Sequence, residues 1–337
     1  MRHRAKSILG ATCRAAAFVA LASGPGVAQG AGLAEAQAFK RPASIPAPAG
    51  NPLTRAKIDL GRRLFSDPFL SQSGARACAS CHYPIQAFTD GLPKARAFGH
   101  ELQRNTPGLW NLAWRKSLFW DGRAASLEAQ ARVPLTAPEE MGRSLEEAAA
   151  RIAARPGYGA EFAAAFPADP GITPDNLARA LASYERSLVS PQTRFDAWAS
   201  GSADAISAME QRGFALFTGQ AGCAACHSGF NFTDDGFHAL AQAGADLGRG
   251  AVTGALQDFG AFRTPSLREL SSSAPYLHDG SAPTLEAAIA AHGGASQSAD
   301  ESAALIAFLL TLSSPGAPAA APPLDAAGAI VTHISPD

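Results

Sequence analysis

The sequence predicts a mainly α-helical fold made of two related helical domains in tandem. Three observations carry that expectation: motifs that recur at a fixed offset, apolar residues spaced by three and four, and few strand signals. Arg104-Asn105-Thr106-Pro107-Gly108-Leu109 is echoed by Arg263-Thr264-Pro265-Ser266-Leu267. Asp121-Gly122 followed by Ser126-Leu127-Glu128 is echoed by Asp279-Gly280 followed by Thr284-Leu285-Glu286. Thr106 and Thr264, Asp121 and Asp279, and Glu128 and Glu286 are each 158 residues apart. Two Gly-x-x-Leu-Phe segments, Gly61 to Phe65 and Gly213 to Phe217, mark a further pair.

In chain order, residues 1–28 have the pattern of an export signal. Arg2, Arg4 and Lys6 form a basic start, Ala15 to Ala22 an apolar stretch, and Gly26-Val27-Ala28 a small-residue cleavage site. Residues 29–52 are rich in Ala and Pro and are expected to be a linker or N-terminal arm. The first domain spans 53–195. Within it, Ser144-Leu145-Glu146-Glu147 is a capping-box start for a helix to about Ala154, and Thr173 to Leu188 carries helical spacing. The second domain spans 196–314, with helices expected from Ala205 to Phe217 and from Thr284 to Gly293-Gly294. Residues 315–337 form an Ala/Pro-rich tail.

With 337 residues, 47% of them hydrophobic and 17% charged, the chain has enough apolar material for one or two cores, which excludes a disordered or fibrous protein. The 28 basic and 29 acidic residues give a net charge of -1. Removal of the export signal takes away four basic residues and leaves 24 against 29. That balance argues against nucleic acid as a partner. No apolar run reaches the roughly 18 residues of a membrane span. The expected location is therefore the periplasm, with the signal cleaved.

Five cysteines are present, and Cys13 falls in the export signal. The other four form two pairs, Cys78/Cys81 and Cys223/Cys226, each followed at once by a histidine, His82 and His227. In a C-x-x-C-H pattern the two thiols attach covalently to a haem and the adjacent histidine becomes its proximal iron ligand. Short-loop disulfides, or one zinc site built from both pairs, leave the two histidines unexplained. Each half is thus expected to be a cytochrome c-like helical domain, with haem c forming part of its core.

Over nearly all of its mature length the chain resembles the bacterial di-haem cytochrome c peroxidases and their MauG-type relatives. The matching segments include Leu60-Gly61-Arg62-Arg63-Leu64-Phe65, Arg104-Asn105-Thr106-Pro107, Phe119-Trp120-Asp121-Gly122-Arg123-Ala124, Pro138-Glu139-Glu140-Met141, Phe262-Arg263-Thr264-Pro265 and Ala274-Pro275-Tyr276-Leu277-His278-Asp279-Gly280, besides both haem motifs. The resemblance implies a peroxide-reacting N-terminal haem, an electron-storing C-terminal haem and a tryptophan between them.

An iron that reduces peroxide needs an open sixth position and a nearby acid/base group to move a proton between the two oxygens. Glu139 and Glu140 are both candidates, and the family's Glu-Met pair selects Glu140. The resemblance further implies Gln130 as a distal amide, Pro134 as a non-ligating residue that leaves the iron open, and Trp120 as the electron-transfer residue. It assigns Asn105, with the carbonyls of Ser273 and Pro275, to a calcium site; neutral oxygens suit that hard cation. Trp110 and Trp114 have no such match and are expected in the core.

The second haem departs from the family's peroxidases. The resemblance implies a methionine ligand 14 residues after the histidine of Pro-Tyr-x-His, or a tyrosine there in MauG-type oxidases, and in this chain that position is His292. Leu285, Ile289 and His292 are spaced by four and three and share one helix face. The internal repeat sets Pro134 and His292 158 residues apart, in equivalent places. Only Met1, Met141 and Met209 exist, and none is suitably placed. A nitrogen ligand favours more oxidised iron than a methionine does. The expected function is therefore that of a MauG- or MbnH-type oxidase, in which hydrogen peroxide generates a high-valent di-haem state that oxidises aromatic side chains of a partner protein. The alternatives are a conventional peroxidase fed by a small cytochrome or copper protein, and a non-enzymatic di-haem electron carrier. His100, 18 residues after His82, is where some family peroxidases keep a histidine that blocks the first iron.

Overall fold

The computed structural model describes residues 32–240, 244–293 and 297–314. The expected export signal and the Ala/Pro-rich tail lie outside the described residues. Within them two helical cores are built by the same device. In the first, α1 (Arg55–Phe65) starts on Thr54, whose hydroxyl accepts from the Lys57 N–H, and it crosses α5 (Pro174–Ser187), capped by Thr173. A Cβ at Gly61 would stand 2.0 Å from the Ala180 carbonyl oxygen, so only glycine allows this crossing. In the second core α7 (Ala208–Thr218) crosses α10 (Ala299–Leu310), and a Cβ at Gly213 would meet the Ala304 carbonyl at 1.9 Å. The repeated glycine of Gly-x-x-Leu-Phe is thus the close-approach point of each domain.

Around the first crossing, α2 (Leu127–Thr136), α3 (Leu145–Ala153) and α4 (Tyr158–Ala165) close a core of Leu64, Phe65, Phe88, Tyr158, Phe162 and Leu181. The second core is aromatic: Phe195 on α6 (Arg194–Ala199), Phe214 and Phe217 on α7, Phe232, and Phe308 on α10. Two short helices follow, α8 (Gly250–Thr253) and α9 (Leu285–Ala291), and Leu285 and Ile289 of α9 pack against this core. Two antiparallel two-stranded ribbons, β1 (Arg96–Ala97) with β2 (His100–Glu101) and β3 (Phe237–Ala239) with β4 (Ala261–Arg263), are the only sheets among the described residues. No described helix is long and apolar enough to cross a membrane.

Helix bounds follow the sequence closely at Ser144, Thr173 and Thr284, each of which caps its helix with a side-chain oxygen. The helix expected from Ala205 begins later. A turn ends at Ala205, Ile206 is extended and buried, and α7 starts after Ser207, which forms a reciprocal capping box with Glu210. The N-terminal arm is also no free linker. Phe39 stacks on Phe232 at 4.9 Å between ring centres, Ala36 is fully buried beside it, and Arg41 pairs with Asp196 at 2.9 Å. One aromatic residue that buries its whole ring outweighs the flexibility of its Ala/Pro surroundings.

Candidate functional site

Both C-x-x-C-H segments fold as one tight turn, Cys78–Ser80 and Cys223–Ala225, in which the histidine N–H donates to the first cysteine's carbonyl, at 3.0 Å for His82 and 2.9 Å for His227. Each imidazole is then fixed from behind. Nδ1 of His82 lies 2.8 Å from the Phe88 carbonyl, and Nδ1 of His227 lies 3.0 Å from that of Phe232. An Nδ1–H that donates to a carbonyl leaves Nε2 as the free lone pair, which is what a metal requires. Burial pushes the His82 pKa down and that of His227 to about 4, so both rings are neutral near pH 7. The four thiols are free, and the two pairs are not gathered into one cluster among the described residues.

His292 faces His227 with ring centres 6.2 Å apart. Its own Nδ1 sits 2.7 Å from the Ala288 carbonyl, so its Nε2 is free as well. Two metal–nitrogen bonds of about 2.0–2.1 Å plus the half-width of each ring fill that span. The two histidines, Cys223 and Cys226 line one cavity of about 580 Å³. A cavity of that size, flanked by paired thiols and two opposed imidazoles, fits a haem. The repeat accounts for the contrast with the first domain: Ser126 and Thr284 cap α2 and α9 in the same way, and the bridges Leu118–Ala124 and Tyr276–Ala282 precede them at the same offset. Where α9 ends on an imidazole, α2 carries Pro134, which has no metal-binding side chain.

Gln130 and Pro134 are four apart on α2 and share its face. The Gln130 Oε1 is buried and has no hydrogen-bond partner, an orphan acceptor that a distal ligand can satisfy. The chain then turns back: the Met141 N–H donates to the Pro134 carbonyl at 3.2 Å, which brings Glu140 up beside the same turn. Glu140 is half-buried, and burial raises its carboxyl above the ordinary 4.5, with Glu139 adding and Arg123 and Arg76 opposing. Its charge is felt at Cys78 and Cys81, whereas Glu139 is exposed. His100 is exposed on β2, paired with Ala97 in a hairpin.

Trp120 lies on the wall of the 580 Å³ cavity together with Asn105, Ser273 and Pro275. Its indole N–H donates to the Asn105 carbonyl at 3.0 Å, and its carbonyl accepts from the Arg263 N–H at 2.8 Å, so residues from both halves hold it. Trp110 is buried against Phe88, and Trp114 packs edge-on to Phe230. The sequence did not mark Phe88 and Phe232, whose carbonyls orient the two histidines; no side-chain signal could do so, since the main chain does the work. Nor did it single out Arg115 or Arg263 as functional, although both reach the cavity.

The family model described as di-haem cytochrome c peroxidase matches residues 55–204. The methylamine utilization protein MauG of Methylorubrum extorquens is 50% identical over 258 residues, 74% of this chain and 72% of that protein. Its namesake in Methylophilus methylotrophus is 46% identical, covering 74% and 76%. Among solved structures, a MauG-like protein associated with microbial copper homeostasis superposes with a TM-score of 0.74 at 32% identity, over 82% of this chain and 95% of its own.

Proposed function

The chain belongs to the di-haem cytochrome c peroxidase family and is a peroxidase-type oxidoreductase; from that premise we propose that it is a periplasmic oxidase of the MauG kind, which uses hydrogen peroxide to oxidise aromatic side chains of a partner protein. The observation that carries this reading is His292 opposite His227, where the resemblance sets methionine in conventional peroxidases. Haem attached at Cys78/Cys81 and Cys223/Cys226 would supply redox-active iron able to take oxidising equivalents from peroxide.

The protein's own groups do the rest. His82 and His227, each oriented by a carbonyl, would ligate the iron of their haems. Pro134 offers no ligand atom to the first site, and the buried Gln130 Oε1 would accept a hydrogen bond there. Glu140 takes the proton from the incoming peroxide oxygen and delivers it to the departing one, a shuttle favoured by its raised pKa. Trp120, held by both halves, carries electrons between the sites. Asn105 Oδ1 and the carbonyls of Ser273 and Pro275 would hold a calcium ion beside it.

The test mixes resting, fully oxidised protein with one equivalent of peroxide in a stopped-flow spectrometer. Reaction without reductant is expected, followed by return to the resting spectrum on adding a protein with exposed tryptophan. A need for prior reduction, with turnover supported only by a reduced small cytochrome, would replace this reading with the conventional peroxidase.

A further inference from the structure

Two buried guanidiniums share one carboxylate on the wall of the second site. The Arg115 side chain is 2% exposed and comes from the N-terminal half; Arg263 is 8% exposed and comes from the C-terminal half. Asp235, also 8% exposed, lies 2.9 Å from Arg115 Nε and 3.7 Å from Arg263 Nη1. The remaining buried arginine on this wall, Arg268, has a different carboxylate, Asp196 at 2.8 Å, which it shares with Arg41. Arg115, Arg263 and Asp235 together carry one net positive charge, and Asp234 is the second carboxylate felt at Arg115.

Their donors are also in excess. Arg115 gives Nη2 to the Thr264 carbonyl at 2.7 Å, and Arg263 gives Nε to the Phe119 carbonyl at 3.1 Å. Nε and Nη1 of Arg115 and Nη1 of Arg263 make no aligned hydrogen bond. An unpaired buried guanidinium is strongly unfavourable, and a bidentate carboxylate is its natural complement. Both arginines line the cavity that His227 and His292 enclose, and the Arg115 charge is felt at His227.

We propose that Arg115 and Arg263 bind a propionate carboxylate of the second haem, and that Arg115 thereby fixes that haem from the opposite domain. This rests on haem occupying the cavity. The triad is electrically tuned: the arginines favour reduced iron, and Asp235 favours oxidised iron. They are positioning residues, since they act through the haem periphery rather than on the reacting oxygen.

Spectroelectrochemical titration of the holoprotein and two variants tests this. Arg115→Gln should lower the midpoint potential of the low-spin haem, and Asp235→Asn should raise it, with the first haem unmoved. A merely structural role does not give shifts of opposite sign on one haem. Same-sign shifts, or none, overturn the assignment. A pyridine haemochrome count of fewer than two haems in the unmodified protein would instead overturn the site reading on which it rests. Should either variant fail to fold, infrared spectroscopy of the unmodified protein with carbon-13-labelled propionates decides. One labelled carboxylate should stay ionised well below the ordinary carboxyl range, because two guanidiniums favour its charged form. Labelled carboxyls that all titrate as free acids overturn the proposal.

Discussion

The indole N–H of Trp120 donates to the carbonyl of Asn105 across 3.0 Å, while the Asn105 N–H donates to the His278 carbonyl across 2.7 Å. One asparagine thus ties the tryptophan of the first half to the loop of the second. Its side-chain N–H₂ is engaged by the Leu92 carbonyl at 2.8 Å, which leaves Oδ1 as the acceptor end of the amide. A cation on Oδ1 would stiffen this link. Chelation should therefore slow electron exchange between the haems without releasing either, and added calcium should restore it. Asn105→Ala should behave like the chelated protein and ignore added calcium. Elemental analysis that finds no calcium, together with unchanged kinetics after chelation, would remove the ion from the scheme.

The opposed rings of His227 and His292 make a spectroscopic prediction. Resting ferric protein should show one high-spin and one low-spin iron by electron paramagnetic resonance. His292→Ala should turn the second signal high-spin, and His292→Met should keep it low-spin while raising its potential. A low-spin signal that survives His292→Ala unchanged means that another residue binds that iron.

Glu140 carries a pH dependence whose sign is set by its task. The carboxylate must be ionised to accept the peroxide proton, and its pKa is raised by burial above 4.5. The rate of reaction with peroxide should therefore climb with pH through an apparent pKa above that value and then level off. Glu140→Gln should flatten the profile and slow the reaction by roughly 10²–10⁴. A wild-type rate in that variant would shift the role to Glu139 or to water.

Much of this architecture was legible because it repeats. Ser126 and Thr284 start equivalent helices, so counting along the second turned Pro134 into His292 without any tertiary information. Gly61 and Gly213 were visible as a motif, although only the crossing helices explain them. What stayed hidden depends on chain segments far apart in sequence. Arg115 meets Asp235 across 120 residues, and Phe39 meets Phe232 from within an Ala/Pro-rich arm. Likewise, Glu139 and Glu140 are neighbours of the same type, and the turn back onto Pro134 is what leaves one exposed and one half-buried.

Glu185 on α5 is a buried carboxyl that the proposed chemistry does not use. It is 5% exposed, its Oε2 has no hydrogen-bond partner, and it lies close enough to Cys78 to raise that thiol's pKa. Burial pushes its own pKa up to about 8; Arg186 opposes the shift, but it is already paired with Glu128 at 2.9 Å. The folded state thus keeps a proton that the unfolded chain loses near 4.5. Its contribution to stability is complete below that value and falls away as pH rises towards 8, by up to about 1.4 kcal/mol per pH unit. Glu185→Gln keeps the shape and removes the titration. In guanidinium unfolding of the two holoproteins, the variant should gain on the wild type steadily from about pH 5 to about pH 8 and run parallel to it above. A stability difference that does not change with pH would mean that Glu185 is already ionised within the fold.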